Sequence, residues 1–174
     1  MTALLAMLAA ISIVCGKYLA LNLGETMRFS LENMPIIFAG MAFGPLAGAA
    51  VGAVADIVGC LMVGYTINPV ITIGAAAIGL ISGFLAIKLR KIGLNPYVVT
   101  VISVFFAHLI GSVIIKTIGL VAYSGMPYPI LMLWRGLNYL IVGAIDGIIT
   151  HILLSNKAIK SRISVIGGVK NDLR

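Results

Sequence analysis

Runs of about 20 apolar residues recur along the whole of this chain, and each is long enough to cross the hydrocarbon core of a bilayer as a helix. Only 10% of the 174 residues are charged, against about 25% in a typical soluble domain. Backbone groups in lipid must be hydrogen-bonded within the protein, which favours helices, and the period-two alternation of a membrane barrel is lacking here. The sequence therefore predicts an all-α membrane protein.

Glycines, prolines and charged residues divide the apolar runs into six predicted transmembrane helices. We place these helices at residues 3–23, 34–43, 45–63, 69–89, 97–122 and 130–155. The second helix is short, because ten residues rise only about 15 Å at 1.5 Å per residue. One six-helix domain is expected at residues 1–156, followed by a basic tail at residues 157–174.

The positions of lysine and arginine predict the orientation. They concentrate in the loop after the fourth helix, at Lys88, Arg90 and Lys91, and again in the tail. Such residues favour the cytoplasmic side, so we expect a multi-pass protein of the cell membrane with both termini in the cytoplasm. The formal charge of +7 falls at helix ends and not on one soluble face, so no nucleic-acid partner is expected.

Five charged residues interrupt the predicted helices, although each costs about 2.5–3.5 kcal/mol at the centre of a membrane helix. They are Lys17, Asp56, Lys116, Arg135 and Asp146. All except Asp146 fall in the outer half, below a loop that carries Arg28, Glu32 and Asn33. Asp146 lies about 16 Å from Arg135 along the same helix, and a structural role is expected for it. The others predict a polar layer, which is typical of a site or a pathway.

Two helices present faces suited to a ligand. Gly48, Gly52 and Asp56 are spaced by four residues, so close helix packing should place Asp56 at the floor of a pocket. Arg135 and Tyr139 share a face of the last helix, which suits a planar ligand with hydrogen-bonding groups. Because cations outnumber carboxylates in the outer layer, the site should attract an anion.

The sequence offers little support for an enzyme, a metal site or a channel. The two histidines, His108 and His151, form no metal-binding pair, and neither a paired-aspartate motif nor a phosphate-binding loop occurs. Cys15 and Cys60 stand in apolar runs and are interpreted as small hydrophobic residues. A channel or ion carrier is disfavoured because no inverted repeat is present.

Two segments carry a resemblance to a known family. RFSLENMPIIFAGMAFGPLAGAAVGAVADIVG (residues 28–59) and NPVITIGAAAIGLISG (residues 68–83) resemble the S components of energy-coupling factor (ECF) vitamin transporters. The chain looks most like the folate-specific FolT type, over about residues 3–155. The first helix also contains the small-residue motif expected of the family, here Ala6 and Ala10.

The resemblance implies a six-helix, S-component-like bundle that binds one vitamin on the outer side of the membrane. Such proteins hold no ATPase and no cofactor. They dock on the membrane scaffold EcfT, which two ATP-consuming subunits energise, and are thought to reorient in the membrane. The docking surface is expected at Ala6 and Ala10, which form a smooth stripe with Ala3 on one face of the helix.

Folate, with its flat pterin and dianionic glutamate tail, is the expected substrate. We assign Asp56 and Asn68 to the pterin and Arg28 or Arg135 to the glutamate, with Asn33 and Tyr139 as further candidates. For Lys17 and Lys116 three roles stay open: ligand contact, pairing with Glu25 or Glu32, and snorkelling to the surface. The alternative function is an S component for another small molecule, such as pantothenate, niacin or a queuosine precursor.

Overall fold

The computed structural model of the protein describes residues 1–23, 27–124 and 127–161, with the side chains of all of these except 22, 23, 27, 28 and 122–124. Glu25 and most of the predicted tail lie outside this part. The helices are α1 (Thr2–Ile13), α2 (Asn33–Phe43), α3 (Pro45–Met62), α4 (Pro69–Lys91), α5 (Pro96–Ala107), α6 (Lys116–Ser124) and α7 (Tyr128–Ser155). Two π-helical segments, Val14–Tyr18 and His108–Ile115, extend α1 and join α5 to α6.

The described elements follow the predicted order of helices, with α5, the second π segment and α6 forming one continuous rod. Four helices are long and apolar enough to cross a membrane: Pro45–Met62, Pro69–Lys91, Pro96–Val121 and Tyr128–Ser155. The remaining two, Thr2–Tyr18 and Asn33–Phe43, are shorter apolar helices. The helical membrane fold therefore agrees with the sequence, whereas a count of six membrane crossings stays a prediction.

One predicted boundary is wrong. The first helix was expected to continue to residue 23, but it ends at Tyr18, and Leu21–Leu23 forms a strand (β1). This strand pairs antiparallel with Met27–Phe29 (β2), with Leu21 opposite Phe29. The apolar run continues past the helix end, because leucine occurs in strands as well as in helices. Hydropathy alone therefore did not mark the end of the helix.

Local sequence signals set the helix starts. Proline stands at the first position of α3, α4 and α5, where its missing N–H has no intrahelical partner to lose. The Asn68 side chain accepts a hydrogen bond of 3.0 Å from Val70 N and so caps α4. Gly44 adopts φ 102° and separates α2 from α3, a conformation that favours glycine.

Glycines bring α2, α3 and α4 into close contact. A Cβ on Gly48 would lie 2.6 Å from both Gly40 Cα and Gly79 O, and one on Gly52 would meet the Ala75 backbone. The predicted packing of the Gly48 and Gly52 face against a neighbouring helix is thus confirmed. Small residues at these crossings let backbones pack without intervening side chains, which is a common way to associate helices in lipid.

The two ends of the bundle differ in chemistry. We call the end that carries β1, β2 and the first turns of α2 and α4 the hairpin end. At the opposite end, Arg90 Nη1 donates to Met41 O over 3.2 Å and so satisfies a carbonyl in the last turn of α2. The candidate site residues described below gather toward the hairpin end.

Candidate substrate-binding site

A buried lysine at the start of α6 meets the first turn of α2. Lys116 Nζ lies 3.1 Å from Glu32 Oε1 and 3.4 Å from Asn33 Oδ1. The Lys116 residue is only 5% exposed and Asn33 is fully buried. Ser12 Oγ donates to Glu32 O over 2.6 Å, so α1, α2 and α6 converge at this point. A buried ammonium needs such oxygen partners, because its desolvation would otherwise be very costly.

The second π segment extends this cluster into the bundle. Asn33 Nδ2 lies 3.5 Å from Ser112 Oγ, which in turn lies 3.3 Å from His108 Nδ1. His108 Nε2 is 3.0 Å from Asp146 Oδ2 on α7. The imidazole, the hydroxyl and the carboxylate are all buried. Polar groups from α2, the π segment and α7 thus form one connected chain, and π turns are frequent at functional sites.

Arg135 and Tyr139 on α7 attach to this chain from the side. Arg135 donates to Ser112 O from Nε over 3.3 Å and from Nη2 over 3.0 Å. Its guanidinium carbon stands 5.4 Å from the centre of the Tyr139 ring, in cation–π contact. The Tyr139 ring stacks on His108 with 5.0 Å between centroids and 27° between planes. The guanidinium and both rings are therefore fixed relative to one another.

A second polar cluster joins α3 to α4. Thr72 Oγ1 donates to Asp56 Oδ2 over 2.6 Å, and Asn68 Nδ2 donates to Gly119 O over 2.8 Å. Asp56 is partly exposed, whereas Asn68 is buried. The carboxylate of Asp56 is thus held by α4 and keeps access to its surroundings, as a ligand-binding acceptor requires.

The two clusters lie at the same end of the bundle. Gly119 follows Lys116 by three residues in α6, and a Cβ on Gly74 of α4 would lie 2.6 Å from Lys116 Cγ. Lys17 approaches from the π segment that extends α1, with its Nζ 3.8 Å from Cys60 Sγ and 5.6 Å from the Tyr65 ring centre. Among the described side chains, this end therefore combines three cations (Lys17, Lys116, Arg135) with two carboxylates (Glu32, Asp56).

The structure groups the sequence-predicted site residues into these two clusters. Asn33, Arg135 and Tyr139 belong to the first, and Asp56 and Asn68 to the second. The side chain of Arg28 lies outside the described part, so its expected contact with the substrate stays a prediction. Of the alternatives open for Lys116, pairing with Glu32 is the one observed.

Ala6 and Ala10, expected to face the scaffold, are exposed on α1 together with Ala3. Their exposure leaves a helix face made of small side chains available for contact within the membrane. The docking role itself stays a prediction.

Sequence reasoning missed three participants, namely His108, Ser112 and Thr72. His108, Ser112 and Lys116 follow one another at a spacing of four residues in an otherwise apolar run, and this spacing was the available signal. Asp146 was expected to be structural, and its partner is His108. Thr72 carried no signal, because a lone threonine in a membrane helix usually bonds its own backbone.

A large apolar groove lies beside the first cluster, between α7 and the rod of α5 and the second π segment. Its volume is about 890 Å³, and His108 and Tyr139 are among its lining residues. Asp56, Asn68 and Lys116 do not line it. The groove therefore borders the first cluster at His108 and Tyr139 but does not reach Lys116 or the second cluster. Within the described residues, no group of three His, Cys, Asp or Glu side chains is placed to hold a metal ion.

Comparisons with known proteins agree on one fold. The sequence model of the family described as "ECF transporter, substrate-specific component" matches residues 1–154. A crystal structure of FolT bound with folic acid superposes with a TM-score of 0.69 at 23% identity, covering 87% of this chain and 90% of that one. A structure of ThiT from Listeria monocytogenes gives 0.68 at 19% identity, covering 90% and 93%. No curated protein sequence matches the chain.

Proposed function

Because the chain belongs to the substrate-specific components of ECF transporters, we propose that it is the folate-binding subunit of such an importer. The family makes it an integral membrane protein that binds a vitamin-type substrate and is not an enzyme. Members of this family work with a membrane scaffold and ATPases. In our proposal the scaffold is EcfT, two ATPase subunits consume the ATP, and this chain captures folate outside and reorients to release it inside.

The chemistry of the hairpin end supports folate. The pterin ring offers amino and ring N–H donors, which a partly exposed carboxylate such as Asp56 can accept. The glutamate tail carries two negative charges, and a guanidinium such as Arg135 can bind a carboxylate through two parallel hydrogen bonds. Lys17 and Lys116 add positive charge that attracts an anion. Asn33, Asn68 and Tyr139 supply further hydrogen-bonding groups, and Arg28 is proposed to complete the rim.

The single observation that carries the proposal is that one accessible carboxylate, Asp56, and the Arg135 guanidinium lie at the same end of a bundle with the fold of FolT. Likeness of fold does not decide the substrate, because FolT and ThiT superpose almost equally well, with TM-scores of 0.69 and 0.68. The alternative, another vitamin such as pantothenate or niacin, has the same fold and would differ only in the side chains that contact the ligand.

Binding of radiolabelled folic acid to the purified protein in detergent tests the proposal, with unlabelled thiamine, pantothenate and niacin as competitors. Folate should bind and none of the competitors should displace it. Asp56→Ala and Arg135→Ala should each weaken binding at least tenfold, which corresponds to about 1.4 kcal/mol. Ser103→Ala is the matched control, since Ser103 is buried in α5 and its hydroxyl has no hydrogen-bond partner in the described part of the chain. Well-folded protein that does not bind folate and binds one of the competitors would refute the folate assignment.

The proposed orientation places both termini in the cytoplasm and the hairpin end outside. The basic residues Lys88, Arg90 and Lys91 at the end of α4 support it, because such residues are enriched on the cytoplasmic side. The proposal keeps residues 1–156 as the membrane domain and residues 157–174 as a cytoplasmic tail in the cell membrane. A cysteine introduced at Lys91 should then react with an impermeant thiol reagent only after the cells are opened.

A further inference from the structure

The buried chain that joins Lys116 to Asp146 has a direction. An ammonium can only donate hydrogen bonds, so the Oδ1 atom of Asn33 accepts from Lys116. The Nδ2 atom of the same amide is then the donor toward Ser112 Oγ. With that oxygen accepting, the Ser112 hydroxyl proton is available for His108 Nδ1. His108 Nε2 then carries the remaining proton and donates it to Asp146 Oδ2 over 3.0 Å.

Every bond in this sequence runs from the cation toward the carboxylate. Each donor is polarised by the group before it and each acceptor by the group after it, so the bonds strengthen one another in a low-dielectric interior. The direction is fixed at the first step, because Lys116 has no lone pair to accept with. A chain that keeps this direction through to Asp146 contains a neutral His108 with its proton on Nε2, which faces Asp146 Oδ2.

The hydrogen-bonded groups from Lys116 to Asp146 also hold the side chains that are assigned to the substrate. The His108 ring is the surface on which Tyr139 stacks. Ser112, which bonds His108 through its hydroxyl, accepts two hydrogen bonds from Arg135 through its backbone oxygen. Gly143 of α7 leaves the room that the His108 ring occupies, since a Cβ there would lie 3.2 Å from the ring. A change in the orientation of His108 would thus reach both Arg135 and Tyr139.

Asp146 has the arrangement of a residue that acts through His108. Its residue is fully buried, its Oδ2 atom faces His108 Nε2, and its Oδ1 atom has no hydrogen-bond partner in the described part of the chain. Asp146 does not line the groove, and among the described residues no hydrogen bond or ring contact joins it to Arg135 or Tyr139. Its influence on the substrate must pass through the imidazole.

We propose that Asp146 and His108 form a positioning pair, in which Asp146 fixes the Nε2–H tautomer of His108 and thereby the orientation of Tyr139 and Arg135 toward the substrate. This inference rests on the proposed binding site at the hairpin end. It adds two residues that do not touch the substrate but set its affinity through the π segment.

The test combines ¹⁵N NMR of the histidine ring with substrate binding. In wild-type protein labelled at histidine and assigned with His108→Gln, the His108 signals should be those of a neutral ring protonated on Nε2, with or without ligand. Asp146→Ala should shift these signals toward mixed tautomers and weaken folic acid binding at least tenfold. Thr150→Ala is the matched control, because Thr150 is equally buried one turn further along α7 and its hydroxyl has no partner among the described residues.

Two results would overturn the proposal. One is a wild-type His108 protonated on Nδ1 or on both nitrogens. The other is an Asp146→Ala protein whose melting temperature falls while its folded fraction binds folate with unchanged affinity, since Asp146 would then only stabilise the bundle. If Asp146→Ala does not fold, Ser112→Ala is the second variant, because it removes the hydroxyl that joins Asn33 to His108. Ser112→Ala should weaken folic acid binding, and Ser112→Thr, which keeps a hydroxyl, should restore the affinity. Because the NMR result needs no ligand, failure of the folate assignment would be seen separately, in the wild-type binding assay.

Discussion

Lys116 and Glu32 form an ion pair across 84 residues of sequence, with 3.1 Å between Nζ and Oε1. The pair links the start of α6 to the turn that precedes α2, and Asn33 holds the same ammonium from the next position. The two side chains differ in exposure, 7% for Lys116 against 23% for Glu32. The interaction therefore stands at the boundary between the helical core and the hairpin end, where it connects the first and second halves of the chain.

Removing one partner of this pair should destabilise the protein. Lys116→Met leaves Glu32 and Asn33 without their shared cation, and we expect a loss of about 3 kcal/mol, the lower end for a broken buried pair. The double variant Glu32→Gln/Lys116→Met should recover part of this loss, because no uncompensated charge is left. Thermal unfolding in detergent measures both. A double variant less stable than Lys116→Met would contradict this account.

The glycine contacts of α3 should tolerate no side chain. Gly48→Ala places a Cβ 2.6 Å from the Gly40 and Gly79 backbones, so α3 must move away from α2 and α4, at a cost of about 3 kcal/mol or more. Gly136→Ala is the control, since nothing lies within 4 Å of a Cβ at that position of α7. It should be neutral or gain up to about 1 kcal/mol from better helix propensity. Equal melting temperatures for the two variants would refute the close packing.

Arg135 should not be replaceable by lysine. The guanidinium donates to Ser112 O from two nitrogens and rests against the Tyr139 ring, and a point-like ammonium cannot reproduce this geometry. We expect Arg135→Lys to weaken folate binding about tenfold, because a hydrogen bond to a charged group contributes about 1.5–3 kcal/mol. Equilibrium binding to the purified variant measures the loss. Wild-type affinity in Arg135→Lys would show that charge alone is sufficient at this position.

The asparagine that begins α4 should act through both ends of its amide. Asn68 Oδ1 caps Val70 N and Nδ2 bonds Gly119 O, so Asn68→Ala should cost about 1–2 kcal/mol. Asn68→Asp keeps the capping oxygen and loses the bond to α6. Its stability should therefore fall between that of the wild type and that of Asn68→Ala. Urea or thermal unfolding measures the order of stability of the wild type and the two variants. If Asn68→Asp is as unstable as Asn68→Ala, the cap does not contribute.

The exposed alanine face of α1 should matter for transport and not for binding. Ala10→Leu adds a bulky side chain to a face that is open in the described structure, so folate binding by the isolated protein should be unchanged. Uptake by the complete transporter in vesicles should fall strongly, because close helix contact needs small residues. Ala144→Leu, at an exposed alanine of α7, is the control. Normal uptake with Ala10→Leu would contradict docking at this face.

Much of the fold could be predicted from the sequence because hydropathy and helix-breaking residues are local signals. Gly44, Pro69 and Pro96 mark boundaries that the structure reproduces within a few residues. The end of α1 could not be found in this way, since Leu21 and Leu23 suit a strand as well as a helix. Pairing of β1 with β2 depends on a contact between chain segments that hydropathy does not encode.

The polar layer was predictable only in outline. The cost of burying charge identified Lys116, Arg135 and Asp146 as residues that need partners. The identity of those partners depends on the rotation of each helix, which a small polar residue such as Ser112 does not reveal. Pairing of Asp146 with His108 joins α7 to the π segment, 38 residues away in sequence, and only the packing of the helices brings them together.

The second π segment has a consequence for comparing this chain with its relatives. A turn closed by i→i+5 hydrogen bonds contains one residue more than an α-helical turn. A homologue that is α-helical at His108–Ile115 would therefore be at least one residue shorter there. An ungapped alignment would pair Lys116 with the wrong column and assign its role to a neighbour. Alignments of this family should permit a gap inside this helix, where gaps are ordinarily penalised most.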